Sequence, residues 1–233
     1  MLASHLRVVA KREGGAARQG DYIGRVSEER VPADERRRQA IAAAIPLFAF
    51  SGYIGTPVSR VSGELGISQP YLFQLFPTKQ ALFVACIDAC QDQLEQLATE
   101  CADRERRAGR VVTLDALGRE YAELIRDDVA LMFQLQAWAA ARNCAEIETL
   151  CRTRMTGMIQ LVTALTGALQ RDVDLFFARG ALLVVRSALR MPMPDTLALV
   201  EPDHPGRADQ RMAEGKTGHP MEPVFLSAPA ETE

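Results

Sequence analysis

The chain has 233 residues, a length that fits one medium domain or two small ones. Hydrophobic residues make up 48% and charged residues 24%, enough apolar side chains for a core, while aromatics at only 6% beside abundant alanine and leucine favour helices over sheets. A net charge of −3 argues against a whole-chain nucleic-acid binder, but the charge is uneven: residues 1–80 hold 11 Lys/Arg against 7 Asp/Glu, and the rest hold 16 against 23. A basic first third on an acidic body points to an anionic partner at one end, with compositional drift as the plainer alternative. The longest near-continuous apolar stretch, Ile41 to Phe50, is too short to span a membrane, and the first fifteen residues lack the apolar block of a secretory signal. The expectation is a soluble, cytoplasmic, all-α protein without membrane contact.

Taken in chain order, residues 1–33 mix glycines with arginine and glutamate without a sustained period and read as a flexible basic arm. A helix is predicted from Asp34, where Ile41, Ile45 and Phe48 recur at helical spacing, and Pro46 inside it should kink it. Thr56-Pro57 reads as a threonine N-cap with proline at the first helical position. A short helix then runs to Leu65, Gly66 makes a tight turn, and Ser68 caps a second short helix, Gln69–Phe76. Pro77 stops it and Thr78 caps a long helix to about Arg107. Further helices are predicted over roughly 113–126, 128–142, 144–169 and 172–190, with Asn143 and Glu146 as a capping-box variant. From 194 on, prolines, glycines and acids dominate, and a disordered acidic tail is expected.

The cysteines, Cys86, Cys90, Cys101, Cys144 and Cys151, are odd in number, which argues against a disulfide framework. Cys86 and Cys90 share a helix face and have the spacing of a metal or redox pair, but His5, His204 and His219 all lie in the ends. Buried cysteines acting as small hydrophobes are the simpler reading, and neither metal nor cofactor is expected. An enzyme on a helical bundle would need a Glu-x-x-His pair, clustered carboxylates or an activated nucleophile. No histidine lies between residues 6 and 203, so no enzymatic activity is expected.

The two short helices, Pro57 to Phe76, have the layout of a helix-turn-helix. Val58, Val61, Leu65, Ile67 and Leu72 can supply its inner face, leaving Ser59, Gln69, Tyr71 and Gln74 for the major groove. The helix starts near Thr56 and Thr78, with Lys79, can meet phosphates. A plain helical hairpin in a bundle is the alternative on spacing alone.

The run Arg36-Arg37-Arg38-Gln39-Ala40-Ile41, followed by Leu47-Phe48-Ala49, Gly52-Tyr53, Thr56, Val61, Leu65-Gly66-Ile67-Ser68, Leu72-Phe73, Phe76-Pro77-Thr78-Lys79 and Ala81-Leu82, resembles the DNA-binding domain of TetR-type transcriptional regulators over about residues 35–95. The pattern Val173, Phe176, Gly180 and Leu183 loosely resembles the family's closing dimerisation helix. The resemblance implies an N-terminal three-helix DNA-binding domain, here 34–78, and a C-terminal helical ligand-binding and dimerisation domain, here 79–193. It implies a homodimeric repressor on a near-palindromic double-stranded operator, released by a small-molecule effector. By position, Thr56 and Lys79 would touch phosphate, and Gln69, Pro70, Tyr71 and Gln74 would line the base-reading surface. Phe73 stands where the family usually has tyrosine, Leu75 replaces a usual histidine or tyrosine, and Pro46 is unusual in the first helix. Lost phosphate contacts weaken binding without changing the bases read. Lys11, Arg12 and Arg18 of the arm are candidate compensating contacts, and a TetR-like protein acting through protein contacts alone is the alternative.

In the C-terminal half, Tyr121, Met132, Phe133, Trp138, Met155 and Met158 are candidates for an adaptable apolar effector pocket, with core packing as the plainer role. Arg154 interrupts an apolar stripe and needs an acidic neighbour or an anionic ligand group. Met158, Leu161, Leu165, Phe176, Gly180 and Val184 follow helical stripes with small residues that allow close approach, and are the expected dimer interface.

Overall fold

The computed structural model describes residues 32–125 and 128–193. Among them are eight helices and no strand, in the order α1 (Ala33–Gly55), α2 (Val58–Glu64), α3 (Gln69–Leu75), α4 (Lys79–Arg107), α5 (Leu114–Leu124), α6 (Val129–Ala141), α7 (Ala145–Thr166) and α8 (Gln170–Ala188). The acidic tail from 194 and all but the last two residues of the arm lie outside the described residues. No described helix is long and apolar enough to cross a membrane.

Side-chain caps set three of the helix starts. Ser68 accepts from the Tyr71 amide at 3.3 Å, Thr78 from Ala81 at 2.9 Å and Thr113 from Ala116 at 3.1 Å. Each satisfies one amide that a helix start leaves free, a contribution of about 1 kcal/mol. Gly66 at φ 63° makes the turn between α2 and α3, where the Ile67 amide reaches back to the Ser62 carbonyl at 3.0 Å.

Three local readings are corrected. The backbone does not break at Pro46: the non-helical dihedrals inside α1 fall at Gly52 (φ 73°, ψ 173°), and burial of Ala44, Ile45, Phe48 and Ala49 holds the helix around the proline. Thr56 is not an N-cap. It ends α1, its side chain is wholly buried, and its hydroxyl donates to the Leu47 and Gly52 carbonyls at 3.1 and 2.8 Å, leaving Pro57 as the N-cap of α2. Asn143 and Glu146 form no capping box. Cys144 is the N-cap of α7 and Glu146 instead accepts from the Gln80 amide of α4.

The core holds three clusters. The first joins Phe48 of α1, Val61 of α2, Leu72 of α3 and Phe83 of α4 to Phe133, Ala137 and Ala140 of α6. It runs straight across the expected division at residue 78, because α6 packs on α1. The second gathers Ala98, Cys101 and Ala102 of α4 with Leu117 of α5, Met158 and Val162 of α7 and Val173 of α8. The third sets Leu183 and Val184 of α8 against Ile125 and Leu131.

Gly52 lies where α1 meets α6, and a Cβ placed on it would stand 2.7 Å from the Gln136 Oε1. Its dihedrals belong to a region that is essentially glycine-only, so the strain of a side chain there is in the backbone. Gly52→Ala is expected to lower the unfolding free energy by about 1–3 kcal/mol in urea titrations. Adding Gln136→Ala should not restore it; recovery of most of the loss would place the cost on the glutamine instead.

Candidate functional site

The helix-turn-helix presents one buried and one open side. Val61, Leu72 and Leu75 are buried and Val58, Leu65, Ile67 and Tyr71 pack against them in part, while Ser59, Gln69, Pro70 and Gln74 are exposed. Polar side chains at the start of a short capped helix, standing out from an apolar support, can reach the edges of bases in a major groove. Tyr71 straddles the two sides, with part of its surface packed against the core and part open. Phe73, 42% exposed, leaves an apolar ring on the open face.

Two cations fix this unit. Arg37 of α1 donates to the Leu75 carbonyl at the end of α3, and its guanidinium lies 4.3 Å from the centroid of the Phe76 ring. Lys79 donates to the Ile54 carbonyl at 3.2 Å and lies 5.1 Å from the Tyr53 ring centroid, and burial lowers its pKa. Lys79 thus ties the end of α1 to the start of α4 as well as standing at a helix N-terminus. The Thr56 hydroxyl, spent on two carbonyls, is withdrawn from phosphate contact. Sequence reasoning did not single out Arg60, an exposed guanidinium on α2 that donates to the Ser51 Oγ at 3.1 Å. Its signal was present, since it is the one basic residue of that helix.

The C-terminal half holds a partly open cavity of about 110 Å³ between α4, α5, α6, α7 and α8. Tyr121, Trp138, Met155 and Met158 line it, and Phe133 lines an adjoining cavity of about 40 Å³. Burial pushes the Tyr121 phenol up to about 12, so it stays a hydrogen-bond donor. Two expected members fall elsewhere. Met132 lies in neither lining and packs on the first core cluster. Arg154 binds Asp88 through Nε and Nη2 at 2.9 and 2.6 Å, and Nη1 reaches Asp92 at 2.9 Å and Glu95 at 3.3 Å. Its need for an anion is therefore met by one face of α4. Gln91 and Gln134 line both cavities and were missed, because a glutamine on a helix usually signals only a solvated face.

The expected interface also divides. Val184 is buried within the subunit against the third core cluster, Met158, Phe176 and Gly180 wall the larger cavity, and Leu161 and Leu165 pack on the second cluster. Met158 and Val184 are buried and the other four keep part of their surface, while the large apolar side chains exposed on α8 are Leu175, Leu182 and Val185, with Leu189 just after it. Their spacing of seven, three and four residues is a single helical stripe.

The thiols are packed rather than poised. Burial holds the Cys86 thiol well above its ordinary range and pushes Cys90 up to about 12, so neither has thiolate character at neutral pH.

Residues 40–86 match the family of bacterial regulatory proteins described as the tetR family. A stretch of 101 residues is 32% identical to the HTH-type transcriptional activator FasR of Mycolicibacterium smegmatis, covering 41% of this chain and 42% of that one, so the match spans about two fifths of the relative's length. In fold the chain resembles a candidate transcriptional regulator of Pseudomonas aeruginosa, at a TM-score of 0.58 and 18% identity over 75% of this chain and 89% of the other. It also resembles the regulator FadR of Bacillus subtilis, solved with stearoyl-CoA, at a TM-score of 0.54 and 16% identity over 70% and 92%.

Proposed function

We propose, from the match of residues 40–86 to the tetR family of bacterial regulatory proteins, that the chain is a TetR-type homodimeric repressor of transcription. In this reading α3 enters the major groove of a near-palindromic operator, and a small, mainly apolar effector bound in the C-terminal cavity lowers the affinity for DNA. The observation that carries the first part is the open side of α3, where Gln69 and Pro70 at its start and Gln74 near its end stand exposed, held on a buried support and pinned from α1 by Arg37. The cavity supports the second part: it is mostly apolar, has a few polar groups, and lies beside α6, which packs on α1. The stearoyl-CoA of FadR is a precedent for an apolar chain within this fold. FasR is by name an activator, so a transcription assay with and without the protein decides the sign.

The dimer is assigned to the outward stripe of α8. A two-fold axis there would place the same patch of each subunit against itself, as closed dimers require. A second reading, in which the chain acts through protein contacts alone, draws on the exposure of Phe50, Ile54 and Phe73 on the DNA-binding module. Selection from a random duplex pool separates the two, since that reading returns no enriched sequence. On the selected operator, titration of a panel of hydrophobic and aromatic metabolites tests the effector, with Trp138 emission and operator affinity changing together.

Gln74→Ala and Tyr71→Phe, the latter keeping the ring in the core, are expected to cost about 1–3 kcal/mol of discrimination between selected and random duplex. Lys79→Met should weaken both by similar factors and flatten the salt dependence by about one counterion. Equal loss on both duplexes for Gln74→Ala would remove α3 as the reader.

Leu182→Arg, which puts a charge in the centre of the outward stripe, should sediment as a monomer at micromolar concentration and keep the helical content of the wild type. Its operator affinity should fall at least tenfold, because one half-site alone is left to each subunit. A Leu182→Arg protein that remains dimeric places the interface on another face.

A further inference from the structure

Six residues, Gln91, Leu94, Tyr121, Gln134, Trp138 and Met155, line both cavities of the C-terminal half, which meet along this shared wall. Among the described residues no Asp, Glu, Lys, Arg or His lines either cavity. Arg154 is committed to Asp88, Asp92 and Glu95. An ion buried without a counter-charge is strongly disfavoured, so the enclosed part of any occupant is uncharged.

Most of the polar groups stand on the shared wall, with Gln93 on the smaller cavity alone. Among the described residues, the Gln91 and Gln134 amides and the Tyr121 hydroxyl have no hydrogen-bond partner within the protein. Amide N–H and phenol O–H groups suit an acceptor such as a carbonyl oxygen. On one side of that wall the larger cavity, about 110 Å³, approaches the size of the engineered cavity of roughly 150 Å³ that takes a benzene ring. The smaller cavity, about 40 Å³, has room for a short tail and counts Ile45 and Phe133 among its lining residues.

Ile45 belongs to α1, the helix that carries Arg37, and it precedes Pro46, whose missing N–H leaves α1 one backbone hydrogen bond short. Phe133 packs on Phe83 at a centroid distance of 5.5 Å. A ligand held in the larger cavity alone touches α4 to α8. One that also fills the smaller cavity presses on the DNA-binding module itself.

Building on the effector reading above, we propose that the effector is a neutral one-ring compound with an internal hydrogen-bond acceptor and a short apolar tail, and that the tail, seated against Ile45 and Phe133, is what releases DNA. The ring gives affinity and the tail gives the response. Close-packed walls cannot admit extra carbons without shifting, so a tail that outgrows the small cavity favours the state in which α1 has moved.

Alkyl phenyl ketones are the probe, because the phenyl, the carbonyl and the alkyl chain map onto the larger cavity, the shared wall and the smaller cavity in turn. The full-length protein is titrated with acetophenone, propiophenone, butyrophenone and valerophenone, following Trp138 emission for binding and the anisotropy of a labelled selected operator for release. Acetophenone is expected to change the emission and leave operator affinity within twofold, whereas butyrophenone and valerophenone change both, with operator affinity falling at least tenfold. Benzoate, the charged counterpart of acetophenone, should bind at least tenfold more weakly. Ile45→Val, and separately Cys151→Ala on the α7 side of the small cavity, should each move the onset of release to a longer ketone.

Release by every ketone that binds, whatever its length, overturns the role of the tail and leaves the effector cavity standing. Benzoate binding as tightly as acetophenone overturns the neutral ligand. A ketone series that changes neither signal overturns the inference, and the effector reading falls with it only where the metabolite panel is silent as well.

Discussion

Phe83 is the point on which the two halves of the molecule meet. It is fully buried on α4, with Phe48 edge-on at 4.8 Å, Tyr53 at 4.9 Å and Phe133 at 5.5 Å between ring centroids. Two of those rings come from α1 and one from α6, so one side chain joins the DNA-binding helices to the body. Aromatic pairs of this geometry are worth about 0.5–1.5 kcal/mol each beyond the area they bury. Because Phe83 follows Thr78 and Lys79 by little more than one helical turn, whatever moves α4 at this level moves the end of α3 too.

The charged contacts then restrict how α4 can move. At its start Lys79 is tied to the Ile54 carbonyl, and farther along Asp88, Asp92 and Glu95 converge on Arg154 of α7. Arg154 keeps a quarter of its side-chain surface and its acids keep more, so solvent screens these pairs and their value is in registry more than in stability. They hold α4 against α7 in one axial position. Sliding by a turn would break the two-point contact of the guanidinium with Asp88.

Much of this was legible in the chain. Ser68, Gly66, Thr78 and the Gln69–Phe76 segment were readable because caps and positive-φ turns are local chemistry, decided by residues within four of one another. Thr56 misled because its hydroxyl finds partners nine and four residues back, on α1, and a threonine before a proline has the same local signature whether it caps forward or bonds backward. Pro46 misled in the opposite sense: its local penalty was read correctly, but burial on both sides of it overrides the penalty. Arg154 was recognised as needing an anion, yet its partners lie 59 to 66 residues away on another helix and no periodicity points to them. Val184 and Gly180 lie on an apolar stripe that is real; the sequence does not say which of two stripes on α8 faces inward, and that depends on where α6 and α7 sit.

The same geometry explains why α8 carries two apolar stripes. The helix α8 is apolar on two sides, one packed within its own subunit and one left open. Phe176 and Gly180 wall the cavity, while Leu175, Leu182 and Val185 stand open on the other side. The glycine has a role on the inner side: a Cβ placed there meets nothing within 4 Å, so its absence adds room to the cavity without relieving any contact. The volume inside α8 and the open stripe outside it are thus set by different residues of one helix. A coupling of about 1–3 kcal/mol between effector and DNA needs only a difference in cavity shape between two positions of α1 and α4. The proline in α1 and the methionines Met155 and Met158 in the cavity wall, which repack at little cost, allow that difference.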